Sequence, residues 1–173
     1  MALKSAAEKL SSAPLSARLR VMRHWLMKSE PDVFSIADLK RKKHSLWDGV
    51  RNYQARNFMQ KDMQVGDWVL FYHSSSEPPG VAGLARVAKV AEPDPTQFDK
   101  KSEYYDPKAT REKPRWFAVT VEYCEEFPQL VELAQIRNTI PLKDMLVLQK
   151  GQRLSIQPVK PEEFDHICRL GRR

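Results

Sequence analysis

The densest chemistry in the chain lies in Trp47-Asp48-Gly49-Val50-Arg51-Asn52-Tyr53-Gln54-Ala55-Arg56-Asn57. These eleven residues hold two aromatics, two arginines, two asparagines and a glutamine. Side-chain amides present paired donors and acceptors that can read the edge of a base, and aromatic rings stack on its face. Arg51 and Arg56 have the charge and geometry to hold phosphate oxygens. Each residue also has a plain scaffold role: Asn52 as a helix cap, Tyr53 and Trp47 as core, the arginines as solvated surface. It is their concentration that points to a binding site, because polar groups of this kind are costly to bury without partners.

A second cluster, Tyr72-His73-Ser74-Ser75-Ser76, has the residue types of a Ser/His dyad. Adjacent residues at a strand end usually diverge, however, and no third member or oxyanion hole is marked. The enzymatic alternative is a hydrolase or transferase acting on a modified nucleoside, with His73 as base and Glu30 or Asp106 as acid. No phosphate-cradling glycine loop is present: Gly80 and Gly83 fall in a turn and a strand. His24, His44, His73 and His166 are scattered, and none stands at metal-ligand spacing from a cysteine. No metal or cofactor is therefore expected. Cys124 and Cys168 lie in apolar contexts and read as buried fillers.

The elements that must position these residues are short. His24 to Lys28 reads as a first strand, stopped by Ser29-Glu30-Pro31. Ser35 caps a helix, with Asp38 completing a capping box and Lys40 to Lys43 ending it. Asn52 to Met63 has helical spacing, and Val65-Gly66-Asp67 is a turn. Trp68 to Tyr72 is the most apolar strand. Glu77-Pro78-Pro79-Gly80 is a tight connection leading into an alternating strand from Val81 to Val90, whose small residues suit a strongly curved sheet. Glu92 to Arg115 has no period and reads as a long functional loop. Trp116 to Tyr123 is a strand, Leu130 to Ile136 a short helix, Leu142 to Leu148 a short apolar segment, and Leu154 to Val159 an alternating strand. Pro161 opens a last helix with Phe164, Ile167 and Leu170 on its buried stripe. Strands outnumber helices without regular interleaving. That predicts an α+β domain around a small curved mixed sheet or barrel.

The 173 residues suit one domain with an appendage. The formal charge of +7 is uneven, since residues 1–23 carry five basic side chains and a single acid. The rest of the chain is then only weakly basic, too weakly to grip nucleic acid by bulk electrostatics alone. A local patch beside a specific pocket is the arrangement to look for. Residues 1–22 read as a basic, disordered extension, and residues 23–171 as the domain. Rich in Ser and Ala, the extension has a transit-peptide composition, and Met22 is an alternative start. Residues 1–21 are predicted to be dispensable for folding and pocket binding. No apolar run is long enough to span a bilayer. The expectation is a cytoplasmic monomer without a membrane partner, or a nuclear or mitochondrial one in a eukaryote.

From His24 onward the chain resembles the EVE-domain family. The segments that carry the likeness are Trp25 to Pro31, Trp47 to Asn57, Phe71 to Ser74, Pro79 to Gly83, Tyr105 to Pro107, Pro114 to Trp116 and Gln152 to Pro158. The resemblance implies a PUA-like fold, a mixed β pseudo-barrel flanked by short α-helices. It also implies kinship with YTH domains and SRA-type readers, and so a non-catalytic module that holds a modified nucleobase in DNA or RNA. The alternative within binding is an RNA module without selectivity for modification. Lys28-Ser29 and Trp47 look like counterparts of a Lys-Ser pair and a cage tryptophan in YTH domains. Tyr105 and Trp116 are assigned to the cage only by composition and order.

On this reading Trp47 and Tyr105 stack on the base, while Ser29, Asn52, Gln54 and Asn57 read its edge. Glu30, Tyr53, Tyr72, His73, Ser74, Asp106 and Trp116 complete the pocket. Lys28, Arg51, Arg56 and Arg153 hold the backbone. Trp47 follows a polar run and precedes an Asp-Gly turn, so it is expected to be less buried than Trp68, which sits inside an apolar strand.

Overall fold

A computed structural model describes residues 21–173. The expectations for residues 1–20 lie outside the described residues. Six strands form one mixed sheet: β1 (His24–Ser29), β2 (His44–Leu46), β3 (Trp68–His73), β4 (Gly80–Pro93), β5 (Phe117–Glu132) and β6 (Ile156–Val159). Their order is β2-β5-β4-β3-β1-β6, with β1 parallel to β3 and the other neighbours antiparallel. Four helices accompany them: α1 (Ile36–Lys42), α2 (Tyr53–Asn57), α3 (Leu133–Arg137) and α4 (Pro161–Gly171). This is the α+β architecture expected from the sequence.

The central strands are apolar along their whole length because both faces of the sheet are covered. Trp25, Met27, Val69 and Phe71 join one buried cluster with Ile36 and Leu39 of α1, Ala55 of α2 and Met59. The alternate residues Leu26, Leu70 and Tyr72 join another, with Ile136 of α3 and Phe164 and Ile167 of α4. The two-residue period of a strand thus feeds two cores at once. Strands β4 and β5 pair through several register shifts, which bend the sheet. At Gly83 a Cβ would come within 2.2 Å of the Glu125 carbonyl, so only glycine allows this crossing.

Several boundaries differ from expectation. The strand beginning near Trp116 runs to Glu132, and α3 starts only at Leu133. Pairing with β4 extends it through Leu130, where local pattern favoured a helix. The helix expected across 52–63 divides into α2 and a π-helical turn, Phe58–Asp62. The polar His44–Leu46 forms β2 on the edge of the sheet, with Leu46 opposite Thr120 of β5. Helix α1 keeps its capping box: the Asp38 amide donates to Ser35 Oγ at 3.1 Å, and the Ser35 amide donates to Asp38 Oδ2 at 2.7 Å.

The stretch between β4 and β5 is ordered by a buried side chain. Gln97 is fully buried, and its amide donates to the Asp94 and Trp116 carbonyls, both at 2.8 Å. Its carbonyl accepts from the Arg115 and Trp116 amides at 2.9 and 3.0 Å. One amide therefore clamps both ends of the loop and fixes where Tyr104 stands.

Candidate nucleobase pocket

A cleft of about 690 Å³ opens where β1, β2 and the 92–115 loop meet. Lys28, Ser29 and Glu30 reach it from the end of β1, Trp47 to Arg51 from the segment after β2, and Glu103 and Tyr104 from the long loop. Phe34, Lys42 and Ser155 complete its rim.

Trp47 is a wall of this cleft and a core residue together. It is only 7% exposed. Its ring stands edge-on to Phe71 at 5.5 Å and to Phe34 at 6.5 Å between centroids. Its amide donates to the Val119 carbonyl at 2.8 Å. Trp68 is the more exposed of the two tryptophans, lying near Phe164 and under the Arg86 guanidinium. The expected ranking is thus reversed. The tertiary packing of Phe34 and Phe71 buries Trp47, which no local pattern announces.

Behind the wall lies Asp94, whose side chain is fully buried. It accepts from the Gly49 amide at 2.8 Å, from Arg51 Nη1 at 2.9 Å and from the Thr96 hydroxyl at 2.6 Å. Burial alone would raise its pKa, but the hydrogen bonds from Thr96, Arg51 and Gly49 outweigh it and hold the carboxyl below its ordinary range. Gly49 has φ +79°, and a Cβ there would lie 2.9 Å from the Tyr104 ring, so the turn that presents Asp48 requires glycine.

The arginines expected to hold phosphates are otherwise engaged. Arg51 Nε and Nη2 donate to the Tyr104 carbonyl, Nη2 also to Thr96 Oγ1, and Nη1 to Asp94 and to the Val50 carbonyl. That accounts for all five guanidinium N–H groups. Arg51 borders the cleft as its brace. Arg56 donates to the Arg115 carbonyl and to Asn57 Oδ1, and lies 4.8 Å over the Tyr53 ring. Tyr53 stacks on Trp116 at 4.9 Å, and Trp116 donates through Nε1 to Asp106 at 2.7 Å. Arg56, Tyr53 and Trp116 form a stack of their own outside the cleft, with Asn57, Asp106 and Arg115 bonded to it. Asn52 Oδ1 caps α2 through the Ala55 amide, and Gln54 is exposed on the same helix.

The structure thus brings Lys28, Ser29, Glu30, Trp47 and Arg51 together at the cleft. It sets Asn52, Tyr53, Gln54, Arg56, Asn57, Tyr105, Asp106 and Trp116 apart from it. Tyr104 takes the place foreseen for Tyr105, a one-residue difference settled by the loop's path. Tyr72 is buried in the core on the other face. His73 Nε2 accepts the Ile36 amide at 3.2 Å, and burial lowers its pKa, so its imidazole caps α1 and is not free to act as a base. The Ser74 amide donates to the Ser29 carbonyl at 3.0 Å. Arg153 is exposed two residues before Ser155 of the rim and remains available to a phosphate. Asp94, Asp48, Lys42 and Tyr104 were not foreseen. For Asp94 a signal existed: Asp before Pro95 and Thr96 is a turn-initiating pattern, and it caps the 3₁₀ turn Pro95–Phe98.

The electrostatics of the cleft are mixed. Burial lowers the pKa of Lys28. Burial, with the nearby Asp94 charge, raises that of Asp48, although Arg51 and Lys42 oppose the shift. Among the described residues no group of three or more His, Cys, Asp and Glu is placed to hold a metal.

Residues 23–170 match the EVE domain family. The chain is 41% identical to human thymocyte nuclear protein 1, in an alignment spanning 92% of this chain and 79% of that protein. A Pseudomonas putida crystal structure superposes with a TM-score of 0.82 at 50% identity, covering 85% of this chain and 98% of that one. The crystal structure of human THYN1 in complex with 5-methylcytosine-containing DNA gives 0.82 at 42% identity, covering 88% and 99%. With the six-stranded sheet and the cleft between β1, β2 and the long loop, these matches show that the chain belongs to the EVE-domain family.

Proposed function

We propose that this protein is a non-catalytic module that binds DNA carrying a modified cytosine and holds that base in the cleft beside Trp47. One observation carries the reading: a cleft large enough for a nucleobase, walled by Trp47 and Tyr104 and rimmed by Lys28 and Lys42, in a chain similar over 88% of its length to a protein crystallised with 5-methylcytosine-containing DNA. Leaving the stack costs a base a few kcal/mol. Stacking on an aromatic returns about 1–3 kcal/mol. Edge contacts and lysines at the rim supply the remainder. The commitment of His73 to the α1 N-terminus supports binding without turnover.

The test is a titration of the full chain with labelled duplexes that differ by a single 5-methylcytosine, followed by mass spectrometry of the recovered nucleosides. Tighter binding of the modified duplex with every nucleoside returned intact is expected. Equal affinity for modified and unmodified duplexes, or conversion of any nucleoside, would overturn the proposal.

A further inference from the structure

5-Methylcytosine and thymine carry the same methyl group on rings of the same size. They differ at the edge: cytosine presents an N4 amino donor where thymine presents an O4 acceptor. Stacking and methyl contacts alone cannot separate them, whereas an acceptor facing N4 does so directly. Lys28, Lys42 and Arg51 can only donate. Ser29, Ser45 and Ser155 can donate or accept, and so tolerate either base. Three carboxylates remain: Glu30, Asp48 and Glu103.

The three are not equivalent. Glu30 accepts from the Ser75 hydroxyl at 3.2 Å. Glu103 lies on the exposed loop and interacts with the neighbouring Tyr104 hydroxyl. Asp48 follows Trp47 directly and is held by the left-handed turn at Gly49. Arg51, the nearest cation in sequence, has all its donors on Asp94, Thr96 and backbone carbonyls. Among the described residues Asp48 makes no ion pair and accepts no side-chain hydrogen bond. This carboxylate stands exposed at the rim beside an aromatic wall, its only internal hydrogen bond being with its own backbone, and its acceptors face an incoming donor.

We infer that Asp48 is the specificity-determining residue of the cleft, accepting a hydrogen bond from the exocyclic N4 amino group and thereby selecting cytosine-type bases over thymine. This rests on the proposed function above. The raised pKa of the Asp48 carboxyl accords with it, since partial desolvation and the nearby Asp94 charge disfavour the anion, and a donor that a ligand brings would offset both. Facing thymine, the same oxygens would meet O4, acceptor against acceptor.

The experiment uses one duplex context with a single 5-methylcytosine, a single thymine or an abasic site at the test position. An abasic site opposite that position removes any difference in pairing. Affinities are measured for the full wild-type chain, Asp48→Asn and Asp48→Ala, with thermal unfolding to confirm that the variants fold. Wild type is expected to favour 5-methylcytosine over thymine by about ten- to hundredfold, the discrimination of one good edge contact. Asp48→Asn should bring the two within about threefold of each other, because a turned amide can donate to O4 as readily as accept from N4. Equal wild-type affinity for both bases, or an unchanged preference in folded Asp48→Asn, would overturn the assignment of Asp48 alone. Binding to either base no tighter than to the abasic control would overturn the pocket reading, and this assignment with it.

Discussion

The segment Trp47–Asn57 changes character at its middle. Trp47 to Arg51 lines the cleft, whereas Asn52 to Asn57 builds α2 and lies apart from it. The two halves have similar composition, yet the polar groups of the second already have partners within the protein: Asn52 caps the helix, Arg56 bridges Arg115 and Asn57, and Tyr53 stacks on Trp116. In the first half Asp48 is left open, and Arg51 is engaged only to brace the wall. Residue type marks where a site can be. Hydrogen-bond satisfaction decides which of those residues can meet a ligand.

The largest test of this contrast is Trp47→Ala. Trp47 packs on Phe34 and Phe71, so its truncation should cost about 3–5 kcal/mol of stability and abolish base binding together. Thermal unfolding beside a titration reads both effects, and a fully stable Trp47→Ala that merely binds less would show that the wall is not part of the core. Arg51→Ala should come next, at about 3 kcal/mol, because it strips a fully buried carboxylate of its cation. Arg51→Lys should recover only part of that loss, since an ammonium cannot reproduce the fork to Tyr104 and Thr96. Denaturant midpoints of the two variants make the comparison.

Trp68→Ala sharpens the contrast from outside the segment. Partly buried on the other face, it should cost about 1–2 kcal/mol, less than Trp47→Ala, and leave binding intact. A larger loss than for Trp47→Ala would reverse the burial ranking seen here.

The two aspartates at the cleft should respond to acid with opposite signs. Asp94 is held below its ordinary range, so its contribution is present above about pH 4 and lost as the pH falls through its lower folded value. Asp48 is held above its range, so its folded form keeps a proton to higher pH and the stability this gives disappears as the pH rises through the folded value. Asp48→Asn should therefore melt slightly higher than wild type at pH 7, with the gain gone by about pH 3. Melting curves across that range check the sign. The smallest effect belongs to Gln54→Ala, within about 0.5 kcal/mol in stability and silent in binding, because Gln54 is exposed on α2 away from the cleft.

What the sequence determined by itself was local. Ser35 and Asp38 close a capping box three residues apart, Asn52 caps α2, and the apolar runs at Trp25 and Trp68 become the paired strands β1 and β3. Each depends on chemistry between near neighbours, and so leaves a readable pattern. Lys28-Ser29 and Trp47, which the resemblance singled out, line the cleft. Only the tertiary structure decided the rest. Asp94 meets Gly49 and Arg51 across more than forty residues, Gln97 pins the loop that brings Tyr104 to the cleft, and Phe34 and Phe71 bury Trp47. A polar side chain looks the same in sequence whether its partner is a ligand, water or a distant backbone carbonyl. Folding settles the matter by desolvating these groups, and a buried donor or acceptor left without a partner costs about 1–3 kcal/mol.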